Sequence, residues 1–425
     1  MKKTIEASLN EDYTHPVRDV LWGHIYLTEK QALLTESIPF MRLNRIMQLG
    51  PVYLVYPGAT HTRASHSIGV YHLGRRLLQN LTERGASGWL THEGVKSFLA
   101  ACLLHDLGHF PYTHSLKELS LTSHEELSGI IILSEPVKSL VSAAGADPEL
   151  TAAIVDKEKD IKNDELNFYR KLLSGALDPD KLDYLNRDAR YCGVPYGAQD
   201  VDFIFSRLYP NKEQGVDIDS RLIPNVESIL FSKYLMYRTV YWHRKVRAAT
   251  AMVKKALING LESGKLSGED LYNLDDTSLF SLIEQKNKNP LIEAVRDGKI
   301  FSTIAEIPHE KVNLSEIREI GARTQLEEQL AGRLRCAGIS NLLEIKGEDI
   351  IIDIPEPVSF ETGLYVNDEN RSFSESSSAF KPETVNAFIQ TLYTIRIFLN
   401  EKYKESIKTF PQSYSIINEV VKMEE

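Results

Sequence analysis

The sequence predicts a mainly α-helical fold, a helical core followed by a smaller α+β C-terminal appendage, and three observations carry that reading. Apolar residues recur at three- and four-residue spacing through HLGRRLLQNLTE, VKSFLAACLL, ESILFSKYLMYRTVYW and ATAMVKKALINGLE, the period of an amphipathic helix. Turn punctuation separates these segments at GASG (85–88), LGHFP (107–111), AAGADPE (143–149) and GVPYG (193–197). From about Lys299 the pattern changes. LLEIKGEDIIIDIPEP carries short β-branched alternation ending in proline, and GLYVNDENRSF reads as a strand followed by a turn.

Along the chain this gives an N-terminal segment (1–45) packed on the core, a helical core (46–290) and an appendage (291–425). In the core, SHSIGVYHLGRRLLQNL places His66, Val70, Leu73, Leu77 and Leu81 on one apolar helical face. FLAACLL is apolar on every side, so its helix is central, and Gly108 and Pro111 end it. LDPDKLDYLNRDARYCG starts a helix at Asp178, Pro179 and Asp180, where one aspartate serves as the cap. Asp180, Tyr184 and Asp188 then share one stripe, with Lys181 and Arg187 beside it. YWHRKVRAATAMVKKAL is a helix carrying His243, Arg244, Lys245, Arg247, Lys254 and Lys255, either as a solvated face or as a polyphosphate contact. ESSSAF (375–380) reads as a loop, and ETVNAFIQTLYTIRIFLNEKYKE as a long amphipathic closing helix.

Composition narrows the class. A chain of 425 residues with 42% hydrophobic and 25% charged content is an ordinary globular protein. Its net charge of −10 argues against a general nucleic-acid coat, which must neutralise many phosphates. No apolar run approaches the roughly 18 residues that span a bilayer. MKKTIEASLNEDYTHP lacks the apolar core of a signal peptide. Cys102, Cys192 and Cys336 are too widely spaced for a disulfide framework and suit a reducing cytoplasm.

The chemistry gathers in LLHDLGHFPYTHS (103–115), where three histidines and an aspartate follow a buried run. Seven of the 12 histidines are His61, His66, His72, His105, His109, His114 and His124. Burying such groups without partners costs several kcal/mol, so core hydrogen bonds, a metal ion or a substrate must satisfy them. His66 alone reads as a core imidazole. His105 and Asp106, near a helix end, can converge on one divalent ion of intermediate hardness, or form a hydrogen-bonded pair. Asp180 is the best candidate for a fourth ligand.

The order His66, His105–Asp106, Asp180 resembles the H…HD…D signature of the HD-domain metal-dependent phosphohydrolases. QLGPVYLVYPGATHTRASHSIGVYHLG, CLLHDLGHFPYTHS, SHEE and LDPDKLDYLNRDARYCG together are similar to the deoxynucleoside triphosphate triphosphohydrolase branch. That branch includes bacterial dNTPases and the vertebrate SAM- and HD-domain enzyme. The likeness is close over roughly residues 15–255 and loose beyond.

The resemblance implies an HD-domain core and one divalent ion, open among manganese, iron, nickel, cobalt, zinc and magnesium, held by His66, His105, Asp106 and Asp180. It implies attack of metal-activated water on the α-phosphorus of a dNTP, giving deoxynucleoside and inorganic triphosphate. His114 matches the histidine that protonates the 5′ oxygen, with His109 and His124 beside it. Arg63, Lys181 and Lys233 match phosphate contacts, Lys233 replacing an arginine. Tyr184, Asp188 and Gln48 match residues around the sugar, Tyr241 lies under the deoxyribose, and Leu49 touches the base. A second, activating nucleotide is implied at Glu36, Arg42, Asn44 and Arg244, with subunits assembled as tetramers or hexamers.

Two departures stand out. Asn44 stands where the vertebrate enzyme has an arginine, and Glu36 where it has an aspartate, which puts guanine-nucleotide activation in doubt. Lys117 replaces the acid that supports the proton-donating histidine. The competing readings are another HD phosphohydrolase, acting on (p)ppGpp or cyclic nucleotides, and a non-catalytic nucleotide-binding regulator. Products released from a dNTP panel separate them.

Overall fold

Contacts in the computed structural model divide the chain into two units that interleave along the sequence. It describes residues 4–421 except 11, 287, 313–316, 338, 357, 378 and 411, so Pro357 and Ser378, within the expected strand and loop segments, lie outside the described residues. One unit comprises Met1–Met236, Gly268–Leu279 and Phe360–Pro382, the other Tyr237–Ser267, Phe280–Ser359 and Glu383–Glu425. This differs from the single boundary expected near residue 290. The physical reason is the basic helix Arg244–Glu262, whose charges pair with carboxylates from later in the chain. Arg247 meets Asp353 at 2.6 Å and Lys255 meets Glu327 at 2.7 Å. Arg244 and Lys245 at its start are exposed, while Arg247 and Lys255 are committed to these carboxylates and not open to a polyphosphate.

The first unit is built on five helices that matter here: α1 (Arg63–Glu83), α2 (His92–Leu104), α3 (His124–Ile132), α4 (Pro179–Cys192) and α5 (Ile223–Met236). Side-chain caps start four of them. Thr62, Thr91, Ser123 and Asp178 accept from the backbone N–H of Ser65, Gly94, Glu126 and Lys181, satisfying donors that the first turn leaves free. His66, Val70, Leu73, Leu77 and Leu81 are buried along α1 as its periodicity predicts. In α2, Ser97–Leu104 is buried on every side, each large side chain contributing roughly 1.5–3 kcal/mol by leaving water. α2 and α4 both pack on α1.

Strands β1 (Tyr13–Asp19) and β2 (Gly23–Thr28) form an antiparallel hairpin. A four-stranded sheet orders β3 (Leu208–Asn211), β4 (Gly215–Ile218), β7 (Tyr365–Val366) and β8 (Arg371–Ser372). The segment ESILFSKYLMYRTVYW is helical only to Met236. Tyr237–Tyr241 then winds as a wider π turn and belongs to the other unit.

The second unit contains α6 (Arg244–Glu262), α7 (Ile320–Cys336), α8 (Pro382–Leu392) and a three-stranded antiparallel sheet. Its order is β5 (Ser302–Pro308), β9 (Thr394–Leu399), β6 (Ile350–Asp353). The expected closing helix is corrected here: α8 stops at Leu392, and TIRIFL becomes the central strand. Its β-branched residues favour a pleated, buried surface, and Ile395, Ile397, Phe398 and Leu399 are wholly buried. Among the described residues no helix is long and apolar enough to cross a membrane.

Candidate active site

Helix α2 ends at Leu104, and the next two residues are the first pair of expected ligands. His105 Nδ1 lies 3.0 Å from the Cys102 carbonyl, so that nitrogen carries the proton and Nε2 presents its lone pair. That Nε2 is buried and has no hydrogen-bond partner. It lies 3.3 Å from Asp106 Oδ1 and 3.9 Å from Asp180 Oδ1. From α1, His66 Nε2 comes within 2.9 Å of the same Asp180 oxygen. The four expected ligands, from three distant parts of the chain, therefore converge. A buried imidazole nitrogen with no partner, faced by a second imidazole and two carboxylates, fits a divalent ion. Two nitrogens and two oxygens admit the transition ions more readily than an all-oxygen site does.

The side of His66 away from this centre is held by a residue that sequence reasoning missed. His66 Nδ1 lies 2.9 Å from Asp183 Oδ2. Asp183 also accepts from Arg187 Nε at 2.8 Å and Nη2 at 2.9 Å, and from Trp22 Nε1 at 2.6 Å. Asp19 closes the network with a 2.8 Å bond from Arg187 Nη1. A carboxylate behind a ligating histidine fixes its tautomer and raises its basicity. Burial disfavours charge on His66, but bonds to Asp180 and Asp183 push its pKa up to about 10. The sequence signal was available in DYLNR: Asp183 and Arg187 are an i, i+4 pair that starts three residues after Asp180, on the same side of α4.

Beside the ligands, the LGHFPYTH turn and the start of α3 bring three histidines together. Ring centres are 4.0 Å apart for His109–His124, 4.8 Å for His109–His114 and 5.1 Å for His114–His124. The turn fits against α3 only because residue 108 is glycine: a Cβ there would lie 2.2 Å from the His124 carbonyl oxygen. His109 Nε2 is 3.2 Å from Asp106 Oδ1, while its Nδ1 is buried without a hydrogen-bond partner. Arg63 donates to Asp106 Oδ2 at 2.8 Å. Burial opposes charge on Asp106, yet His109, His105 and Arg63 hold its carboxyl well below the ordinary range.

The other expected contacts separate into four groups. Lys181 bonds Asp178 Oδ2 and the Gly175 carbonyl, both at 2.8 Å, and approaches Glu361 at 3.6 Å. Lys233 meets that same Glu361 oxygen at 3.3 Å. Asp188 is buried, its Oδ1 2.8 Å from His61 Nε2, and Tyr184 lies half-buried one turn before it. Gln48 Oε1 is buried with no hydrogen-bond partner, and Leu49 is half-buried beside it. Tyr241 belongs to the second unit, where it packs edge to face on Tyr237.

The expected second nucleotide site is corrected at Arg42. Its guanidinium is buried and donates to the backbone carbonyls of Leu107, His109 and Leu274, so it braces the HD turn and has no donor face turned to solvent. Glu36 and Asn44 are exposed on the first unit. Arg244, on the second unit, pairs with Glu306 at 3.2 Å.

Comparison with known proteins agrees with this geometry. A family model for the HD domain matches residues 63–177, and one for an HD associated region matches 207–422. An uncharacterized protein of Methanocaldococcus jannaschii is 29% identical over 401 residues, covering 92% of this chain and 82% of that protein. The deoxynucleoside triphosphate triphosphohydrolase SAMHD1 of Bos taurus is 22% identical over 451 residues, covering 93% of this chain and 74% of that one. Among solved structures, a hypothetical protein from Aquifex aeolicus superposes with a TM-score of 0.71 at 25% identity, covering 95% of this chain and 99% of its own. The chain belongs to the HD-domain phosphohydrolase superfamily, in the group whose members carry an HD-associated region.

Proposed function

We propose that the protein hydrolyses deoxynucleoside triphosphates to deoxynucleoside and inorganic triphosphate. The observation that carries the reading is the convergence of His66, His105, Asp106 and Asp180 beside a second cluster of three histidines and the lysines Lys181 and Lys233. A divalent ion held by the four ligands supplies Lewis acidity, activating water and neutralising charge that develops on phosphorus. The chain's own groups do the rest. Lys181 and Lys233 hold the phosphates by charge, Arg63 braces Asp106 and adds positive charge beside it, and the buried Gln48 Oε1 and Asp188 offer polar contacts to a sugar. One histidine of the cluster gives a proton to the leaving 5′ oxygen, a task suited to imidazole near neutral pH; the family resemblance gives that task to His114. The 22% identity to a bovine enzyme named for this activity supports the reading.

The test is product analysis. Protein stripped with a chelator and reloaded with Mn²⁺ is incubated with each dNTP, with and without a second nucleotide, and with ppGpp and cyclic nucleotides. Inorganic triphosphate from dNTPs is expected, and its loss on re-chelation. Release of pyrophosphate from ppGpp alone, or of linear product from a cyclic nucleotide alone, replaces this substrate class with another. No turnover under any divalent ion leaves a binding protein.

A further inference from the structure

We infer that His124, positioned by Glu125, is the proton donor to the leaving oxygen, and that His114 is not. The assignment rests on the phosphohydrolase reading above and deepens it. The starting point is that His109, His114 and His124 form one cluster, yet the groups that back each ring differ.

A second metal ion is one use for three clustered histidines, and the ring geometry disfavours it. Two imidazoles bound through nitrogen to one tetrahedral ion keep their ring centres roughly 5 Å apart, with their lone pairs converging. His109 and His124 lie only 4.0 Å apart and within 13° of parallel. That is a face-to-face stack, tighter than the spacing of two rings on one tetrahedral ion. His109 is further committed on one side by Asp106. The stack fixes the plane of the His124 ring instead.

A general acid must present an N–H at one fixed nitrogen, and a carboxylate on the other nitrogen orients the ring to do so. His124 has that partner: its Nδ1 lies 3.0 Å from Glu125 Oε2. The pair sits in the first turn of α3, where Ser123 caps the helix and fixes the backbone of both residues. Glu125 stays ionised. Burial opposes its charge, but the bond to His124, the charge of that ring and Lys117 hold its pKa at about 2. With Nδ1–H directed to the carboxylate, Nε2 is the nitrogen that exchanges a proton.

His114 has the opposite surroundings. It lies in a short 3-10 turn, Thr113–Leu116, followed at once by Lys117. His114 is exposed, and the charges gathered around it, those of the His124 ring, Arg63 and Lys117, oppose a proton on it and lower its pKa, with Asp106 as the opposing carboxylate. His114 is therefore the neutral ring of the three that faces solvent, able to accept a hydrogen bond from water or from a protonated phosphate.

The step balances as follows. The bond between phosphorus and the 5′ oxygen breaks, its electron pair goes to oxygen, and the Nε2 proton of the His124 imidazolium passes to that oxygen. Water supplies the oxygen that completes the phosphate and releases one proton, and solvent returns one to His124. One water is consumed for each ester cleaved.

The experiment compares two substrates in the full-length Mn²⁺-loaded protein: a dNTP, whose alkoxide needs a proton to leave, and bis(4-nitrophenyl) phosphate, whose aryloxide does not. For His124→Asn, kcat on the dNTP is expected to fall by about 10²–10⁴-fold. Glu125→Gln is expected to lose about tenfold or more, and both are expected to keep aryl-diester turnover within about threefold. Metal content should be unchanged in both. Equal loss on the two substrates makes the pair structural and overturns the assignment. Selective loss on the dNTP in His114→Asn, with His124→Asn indifferent, moves the donor to His114 and overturns it too. A wild-type protein that cleaves the aryl diester but no dNTP fails differently: it removes the substrate reading, and this assignment with it.

Discussion

His66 and Asp183 are joined by a 2.9 Å bond from the imidazole Nδ1 to the carboxylate Oδ2, on the side of the ring turned away from Asp180. The bond decides which nitrogen of His66 faces the ion. It also ties that ligand to Arg187, Trp22 and Asp19. Asp183→Asn substitutes an amide for the charge, so His66 is free to take the wrong tautomer and Arg187 keeps one carboxylate of two. Outer carboxylates of this kind are worth about 10–100-fold in metal affinity. The buried guanidinium, left with Asp19 alone, costs at most about 3 kcal/mol of stability. Chelator competition and urea unfolding measure the two effects, and metal affinity equal to wild type would remove Asp183 from the site.

The residue that lets Asp183 reach His66 is Gly69. A Cβ at position 69 would fall 1.9 Å from Asp183 Oδ1 and 2.5 Å from Arg187 Nη2, and neither can retreat because both are buried and doubly bonded. Gly69→Ala normally stabilises a helix interior by about 1 kcal/mol through propensity. Here overpacking of about 1–3 kcal/mol or more opposes that gain. Net destabilisation with loss of bound metal is expected. A variant as stable as wild type, with full metal content, would show that the ion-pair network is loose.

How much of this was legible in the sequence follows from what each signal encodes. That these four side chains converge was legible because their spacing is a motif: His66 on an apolar helical stripe, His105–Asp106 after an apolar run, and Asp180 after a helix cap. Asp183 was not, because a buried carboxylate three residues from a ligand reads as part of an acidic helix face until its partners from β1, α1 and α4 are brought together. Arg42 misled for a related reason. The resemblance to the vertebrate enzyme implied an activator contact at Arg42, and only the fold shows three backbone carbonyls meeting it. TIRIFL was read as helix because Ile395 and Phe398 also satisfy a three-residue spacing. The strand wins because β5 and β6 flank it on both edges.

Asp276 gives a pH-dependent signature outside the metal ligands. Its Oδ2 accepts from the Met47 N–H at 2.9 Å, just before Gln48. Burial raises its pKa from 3.8 to about 6, with Asp275 adding to the rise and the Met47 bond and Arg63 opposing it. Below pH 4 the carboxyl is protonated whether folded or unfolded. Between pH 4 and 6 the unfolded chain ionises first, so the folded state holds the extra proton and stability falls as pH rises. Above about pH 7 the loss is complete, at most about 3 kcal/mol. Asp276→Asn keeps an oxygen for Met47 and lacks this loss. Its stability relative to wild type should therefore climb between pH 4 and 6 and level off above 7. A difference that stays flat from pH 4 to 8 in urea titrations contradicts the buried-carboxyl argument.

Glu361 stands between two residues assigned to phosphate. Its Oε2 is 3.3 Å from Lys233 Nζ and 3.6 Å from Lys181 Nζ, a position a phosphate oxygen would also favour. The carboxylate is partly exposed, 40% by side-chain area, so water screens it and its hold on the lysines is modest. Lys181 has a second partner in Asp178 and does not depend on Glu361 for its orientation. A triphosphate that reaches the lysines must therefore displace Glu361 or share the charge with it, and like charge at that distance weakens the ground-state complex without touching the reacting phosphorus. Glu361→Gln should lower KM for the triphosphate substrate severalfold and leave kcat near wild type. The effect should shrink in high salt, as screening removes the repulsion from the wild-type protein. Lys233→Met should move KM in the opposite direction. If Glu361→Gln raises KM, the carboxylate orients Lys181 and Lys233 for the substrate and does not compete with it.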